Sequence, residues 1–110
     1  MRRFAIANSS VTATPTSQTA TSFTFPGAFM SISANGATDP NAIVWAHENS
    51  NPAVLHAYLA SDLTVELYNS NQATGGADHF GVGNKFVVPT IVNGKVYVGT
   101  TNGVGVFGLK

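Results

Sequence analysis

From residue 22 onward the chain alternates short apolar runs with small polar turn residues. Such runs, bounded by Asn, Gly, Pro and Ser, are typical of strands in an antiparallel sheet. No segment has the apolar spacing of an amphipathic helix, so the pattern predicts an all-β chain. The predicted strands span residues 22–25, 28–33, 42–47, 54–59, 63–68, 85–92, 95–100 and 104–109.

Three Asn-Gly pairs separate predicted strands, at Asn35-Gly36, Asn93-Gly94 and Asn102-Gly103. A two-residue type I′ turn needs positive φ at both central positions, which Asn and Gly adopt most readily. We therefore predict a tight hairpin at each pair.

The start of the chain has a different character. Residues 8–22 are almost all small and polar, and such a stretch buries too little apolar surface to offset the entropy of ordering. We predict a flexible Ser/Thr-rich lead-in over residues 1–21.

The strand groups repeat along the chain, and the first two aligned segments both close on Asn-Gly. A repeat of three or four antiparallel strands over ~40–50 residues is the unit of a β-propeller blade. The alternative is a sandwich of seven or eight strands, which predicts no such repeat. The aligned segments are 28–36 with 86–94, 42–46 with 95–99, and 55–60 with 104–109.

The repeat predicts about one and three-quarter antiparallel β-propeller blades, one over about residues 22–72 and an incomplete last blade over about residues 84–110. Pro89 fits this arrangement, because a proline in a strand belongs at a sheet edge, where its missing N–H breaks no ladder bond. The innermost strand of a blade is such an edge.

Composition removes several classes of function. Only 9% of the residues are charged and the formal net charge is zero, so the chain offers no basic surface for nucleic acid. The absence of cysteine excludes disulfides, thiolate nucleophiles and Cys-ligated zinc. The apolar run near Met1 is too short for an export signal, and no run has the ~20 apolar residues of a membrane span.

Several motifs, taken in order, resemble the C-terminal blades of bacterial PQQ-like (quinoprotein-like) β-propeller repeat proteins. The resemblance covers about residues 22–110 and implies a piece of a large exported propeller, located in the periplasm or outside the cell. The motifs are Phe25-Pro-Gly-Ala28, Ser31-Ile-Ser-Ala-Asn-Gly36, Ile43-Val-Trp-Ala46, Val54-Leu-His-Ala-Tyr58, Glu66-Leu-Tyr-Asn-Ser-Asn-Gln72 and Val88-Pro-Thr-Ile-Val-Asn-Gly-Lys-Val-Tyr-Val-Gly99.

The chain departs from the enzymatic members of that family at the motif that docks one blade onto the next. The comparable segment for their eleven-position pattern Ala-x-Asp-x-x-x-Gly-x-x-x-Trp is residues 60–68, two positions shorter. There Asp62 is retained, the glycine is absent and Tyr68 is the aromatic residue in place of tryptophan. We therefore expect a non-catalytic binding or structural scaffold without a cofactor. The alternatives are a part of a PQQ-dependent quinoprotein dehydrogenase, which would bind PQQ with a metal ion, and a self-assembling lectin-like module.

Length sets the expected partners. A closed propeller needs at least four blades of about 45 residues each, so 110 residues cannot close a ring. The expected partners are the remaining blades of a parent propeller or further copies of this chain.

The histidines and the single tryptophan are the candidate site residues. We assume that Asn102-Gly103 closes a hairpin and that the aligned strands of the first repeat pair in the same register. His47 then faces His56, and Trp45 faces Tyr58. The two histidines could then hold a divalent metal, although they are one or two ligands short. Trp45 is the candidate ligand-binding residue, with packing between blades as the alternative role.

One further pair has the residue types of an acid–base site. Asp78 is adjacent to His79 and could orient its imidazole, but a nucleophile and an oxyanion-stabilising group would also be needed. Local turn bonding is the simpler role for Asp78. We therefore assign no catalytic residues.

Overall fold

The structure is a computed structural model and describes residues 1–108. These residues are all-β, with antiparallel pairing throughout and no α-helix. The fold class is therefore confirmed as all-β and antiparallel. None of the described residues forms a helix with the length and apolar character needed to cross a membrane.

The first nineteen or so residues form a hairpin of four short strands: β1 (Arg2–Arg3), β2 (Ile6–Ala7), β3 (Ser10–Val11) and β4 (Ser17–Gln18). β1 pairs with β4, and β2 pairs with β3 inside them. Asn8 and Ser9 both have positive φ, 51° and 60°, as a two-residue type I′ turn requires. The segment expected as a flexible lead-in thus has paired backbone in the structure.

The first sheet contains four strands in chain order: β5 (Phe29–Ser33), β6 (Ile43–Glu48), β7 (Val54–Leu59) and β8 (Glu66–Asn69). Each strand pairs with the next, which gives an up-and-down meander. The predicted strands at 28–33, 42–47 and 54–59 are confirmed to within a residue. The predicted strand at 63–68 begins later, because Asp62 and Val65 close a turn.

The second sheet contains three strands: β9 (Thr90–Val92), β10 (Lys95–Gly99) and β11 (Val104–Gly108). β9 and β11 are its edges. Pro89, predicted to lie within an edge strand, directly precedes the edge strand β9 instead. Most of the strand predicted at 85–92 is irregular, and so is the strand predicted at 22–25. Both predictions were wrong in those parts, and Leu109 of the predicted 104–109 strand lies outside the described residues.

The Asn-Gly pairs do not all form the same turn. Asn93 and Gly94 both have positive φ, 49° and 71°, and join β9 to β10 as predicted. At Asn35-Gly36 only the glycine has positive φ, and at Asn102-Gly103 neither residue has it. Gly99 pairs with Val104, so the last hairpin has a four-residue loop rather than a two-residue turn.

The two sheets pack face to face, and their first strands approach each other where Ser31 Oγ donates a hydrogen bond to the Pro89 carbonyl. The core between the sheets is built on buried Leu55, Val96 and Val98. A second core of Val44, Tyr58 and Leu63 lies on the opposite face of the first sheet, where Met1 and Phe23 cover it. The N-terminal segment therefore caps one face of the first sheet, and the second sheet covers the other.

Candidate functional site

A cleft of about 660 Å³ opens between the two sheets. This volume lies within the ~300–1,000 Å³ range of small-molecule sites in proteins. Its lining is mostly apolar and aromatic, with one carboxylate. The side chains that matter for its chemistry are Ile43, Trp45, Tyr68, Asp78, Val96 and Phe107.

Trp45 enters this cleft because of its position in β6. Odd-numbered residues of β6 and β7 share the face that packs against the second sheet, and Trp45 lies there beside the core formed with Leu55. The indole Nε1 donates a hydrogen bond to Ser33 Oγ at 2.9 Å. Trp45, the candidate ligand-binding residue, is thus half-buried, fixed in orientation and part of the cleft wall.

Tyr68 reaches the same cleft because of a bulge in β8. Ala57 pairs with Tyr68 whereas the next residue, Tyr58, pairs with Glu66, so Leu67 is an extra residue in the ladder. Without the bulge, Glu66 and Tyr68 would point to the same face of the sheet. With it, Glu66 faces the N-terminal segment and Tyr68 faces the second sheet.

The phenol of Tyr68 donates a hydrogen bond to Asp78 Oδ2 at 2.6 Å. Burial raises the pKa of Tyr68, and the adjacent Asp78 carboxylate raises it further, so the phenol stays protonated. Asp78 comes from the connection between the sheets, just after the short 3-10 turn Thr74–Gly76. The cleft therefore contains one anionic group, held in place by a neutral donor.

The predicted facing pairs were wrong by one residue of register. His47 pairs with Leu55, His56 pairs with Ala46, and Trp45 pairs with Ala57 rather than with Tyr58. A one-residue shift places side chains on opposite faces of a sheet. His47 and His56 therefore point to opposite sides of the first sheet and cannot bind one metal ion together.

His56 lies instead between two glutamates on the face covered by the N-terminal segment. Its Nδ1 is 2.6 Å from Glu66 Oε1 and its Nε2 is 3.0 Å from Glu48 Oε2. Ionised carboxylates only accept hydrogen bonds, so both contacts are hydrogen bonds when both ring nitrogens carry a proton. This bridge ties together β6, β7 and β8.

The surroundings of His56 are aromatic and buried. The ring is 5% exposed, stacks on Tyr58 at a centroid distance of 5.8 Å and meets the edge of Phe23 at 5.3 Å. Burial raises the pKa of Tyr58 to about 12. The two ring nitrogens point in opposite directions, and among residues 1–108 no three His, Cys, Asp or Glu side chains are grouped to hold a metal ion.

His47 is the second buried histidine, and it lies on the face between the sheets. It is 1% exposed, and its Nε2 has no hydrogen-bond partner in the described chain. This burial lowers the pKa of His47, although a backbone hydrogen bond with Val87 partly opposes the shift. A neutral, tightly packed imidazole here contributes to the contact between the sheets.

Asp78 and His79 do not form the acid–base pair considered from the sequence. Asp78 bonds to Tyr68, whereas the His79 ring lies against Gly76, where an added Cβ would be 2.7 Å from Nδ1.

Asp62 lies in the segment compared with the docking motif. It accepts hydrogen bonds from the backbone and side chain of Thr64, and these lower its pKa. Both carboxylates thus have local partners.

Two features of the site were missed from the sequence. The bridge from Glu48 through His56 to Glu66 and the contact between Tyr68 and Asp78 both depend on the bulge in β8. Alternation within residues 63–68 would have placed Glu66 and Tyr68 together. The sequence signal for a bulge is weak here, because no glycine marks it.

No protein-family model, curated protein or solved structure matches this chain. The resemblance to quinoprotein-like repeats therefore rests on the sequence motifs alone and stays a prediction.

Proposed function

We propose that this chain is a non-catalytic binding and structural scaffold of the β-propeller type, in which each meander is one blade. The observation that carries the proposal is the pair of successive meanders packed face to face with their first strands adjacent. Blades in a propeller follow one another in this way around a central channel. In such an assembly the second sheet would contact a further sheet on its other face.

The pairing registers support the equivalence of the two sheets. Trp45 pairs with Ser31 on one side and Ala57 on the other, and Tyr97 pairs with Thr90 and Val106 in the same way. Aligning 55–60 with 104–109 makes Ala57 equivalent to Val106. Through these pairs Trp45 is then equivalent to Tyr97, one residue away from the alignment of 42–46 with 95–99. By the same alignment, Leu55 and Ala57 of the first sheet correspond to Val104 and Val106 of the second.

These equivalent faces differ in whether a sheet covers them. Leu55 and Ala57 are 0% and 2% exposed against the second sheet, whereas Val104 and Val106 are 61% and 52% exposed. Exposed valines grouped on one sheet face mark an interaction surface, and Lys95 and Thr90 lie on the same face beside them. We call the face formed by Val92, Tyr97, Val104 and Val106 the outer face of the second sheet.

In the purified chain, a second copy of the chain would pack against the outer face. The formal net charge of zero means that two copies do not repel each other. The edge strand β11 borders the same face and has no further strand beside it among the described residues. Association would bury the valines and place a neighbour at this edge.

The test measures the native mass of the purified chain by light scattering after size exclusion, with circular dichroism to verify strand content. We expect a discrete multimer, and we expect Val104→Glu to lower its mass without loss of strand signal. The matched control is Val11→Glu, since Val11 is 59% exposed on the N-terminal hairpin, away from the outer face. A folded wild-type monomer, or an equal effect of both substitutions, would contradict self-association.

A further inference from the structure

We propose that the cleft between the sheets binds a small organic cation, with the Asp78 carboxylate as counter-ion and the aromatic walls around its apolar part. The inference names a ligand class for the binding role proposed above. The cleft borders the outer face of the second sheet, because Val106 belongs to both, so the experiment below reads cation binding and self-association separately.

The charge of the cleft favours a cation. Asp78 is the only charged side chain among the described residues that line it. Its Oδ2 accepts the hydrogen bond from Tyr68, and no lysine, arginine or histidine of the described chain lies within ion-pair distance. A half-buried carboxylate attracts a positive group more strongly than an exposed one, because less water screens it.

The walls of the cleft favour an organic cation over a metal ion. Trp45, Tyr68 and Phe107 contribute three aromatic side chains, and aromatic faces attract ammonium groups through their quadrupoles. Ile43 and Val96 add aliphatic surface for the hydrocarbon part of a ligand. One carboxylate in an apolar cleft is too few oxygen ligands for Mg²⁺ or Ca²⁺.

The side-chain donors of the cleft argue against a sugar. The Trp45 indole N–H is bonded to Ser33, and the Tyr68 hydroxyl is bonded to Asp78. A sugar hydroxyl needs both donors and acceptors, because a buried polar group left unpaired costs binding free energy. An ammonium group only donates, so it matches a site whose free polar capacity is a carboxylate oxygen.

The test titrates the full chain with benzylammonium chloride and follows the fluorescence of Trp45, the only tryptophan, alongside calorimetry. Benzyl alcohol and benzoate serve as neutral and anionic probes of similar shape. We expect saturable binding of the cation with a Kd of about 1 mM or tighter, and no saturable binding of benzoate.

The key variant is Asp78→Asn, which removes the charge and keeps an oxygen that can accept the Tyr68 hydrogen bond. We expect it to weaken cation binding by about tenfold or more, which corresponds to about 1.4 kcal/mol. The matched control is Asp62→Asn, in a turn beside the N-terminal segment, which should leave the Kd unchanged.

A second variant keeps the inference testable if Asp78→Asn does not fold. Tyr68→Phe retains the carboxylate and frees its Oδ2, so the cation should bind as well as or better than in the wild type. A purely structural contact between Tyr68 and Asp78 would instead predict loss of binding.

Three results would overturn the inference: no saturation by about 10 mM cation, equal binding by Asp78→Asn, or benzyl alcohol binding as tightly as the cation. The native mass is measured on the same sample. A monomer that still binds the cation would contradict self-association alone, whereas a multimer that does not bind it would contradict this inference alone.

Discussion

Truncation of Leu55 tests whether the two sheets are held together by their shared core. Leu55 is 0% exposed and packs with Val96 and Val98 of the second sheet. Its backbone N–H and C=O are bonded to Ser70 and do not change when the side chain is shortened. Leu55→Ala therefore removes side-chain packing and leaves the strand intact.

The expected magnitude follows from the atoms removed. Leu to Ala deletes three carbon groups, and at about 0.8 kcal/mol per buried methylene their lost burial costs about 2.4 kcal/mol. The cavity left between the sheets adds to this, so we expect a loss of about 3–4 kcal/mol in the free energy of unfolding. That is a large part of the ~5–15 kcal/mol that a domain of this size has in total.

Urea unfolding monitored by Trp45 fluorescence measures the loss, since Trp45 packs against the same core. The control is Leu67→Ala, because Leu67 is 49% exposed in the β8 bulge and its truncation should cost less than about 0.5 kcal/mol. If Leu55→Ala cost under about 1 kcal/mol, or no more than the control, the packing of the two sheets through Leu55 would be refuted.

Two further predictions concern the same contact between the sheets. Burial lowers the pKa of His47 below its usual 6.5, so on acidification the unfolded chain protonates this imidazole before the folded chain does. The free energy of unfolding should therefore be constant with respect to His47 above pH 6.5 and should fall as the pH drops below 6.5. Urea unfolding at a series of pH values should show that the free energy of unfolding falls less at acid pH in His47→Gln than in the wild type. An equal dependence on pH in both proteins would contradict this account. Gly105→Ala should lower the free energy of unfolding by about 1–3 kcal/mol, because its Cβ would lie 2.5 Å from Phe80 Cδ2. Thermal unfolding should show little change in Gly103→Ala, whose nearest neighbour would be 3.6 Å away, and equal effects would refute the steric argument.

The sequence pattern predicted the strands that carry most of the core. Alternating or continuous apolar runs located β5, β6 and β7 to within a residue, because burial of one or both faces of a strand decides which residues can occupy it. Asn93-Gly94 gave the correct turn for the same kind of local reason. The pairing registers keep Tyr58 equivalent to Phe107 only if the alignments of 28–36 with 86–94 and of 42–46 with 95–99 are each shifted by one residue.

Features that depend on loop length or on distant partners were not predictable in this way. Residues 8–19 are mostly small and polar, yet the backbone of residues 1–19 pairs in a hairpin. Its first residue, Met1, packs against the core on the first sheet, as Phe23 does. The predicted strand at 85–92 fails because Phe86 has a positive φ of 64°. This conformation places its ring edge-on to Phe29 of the other sheet, at a centroid distance of 5.6 Å.

The candidate metal pair fails because of strand register. His47 faces His56 only if Asn102-Gly103 is a two-residue turn and the first sheet has the same register as the hairpin closed by that turn. The loop has four residues, and the observed register in the first sheet places the two histidines on opposite faces. His56 then meets Glu48 and Glu66, while His47 is buried between the sheets. The repeat predicts which strands are neighbours, but loop lengths and one extra residue in β8 decide which side chains share a site.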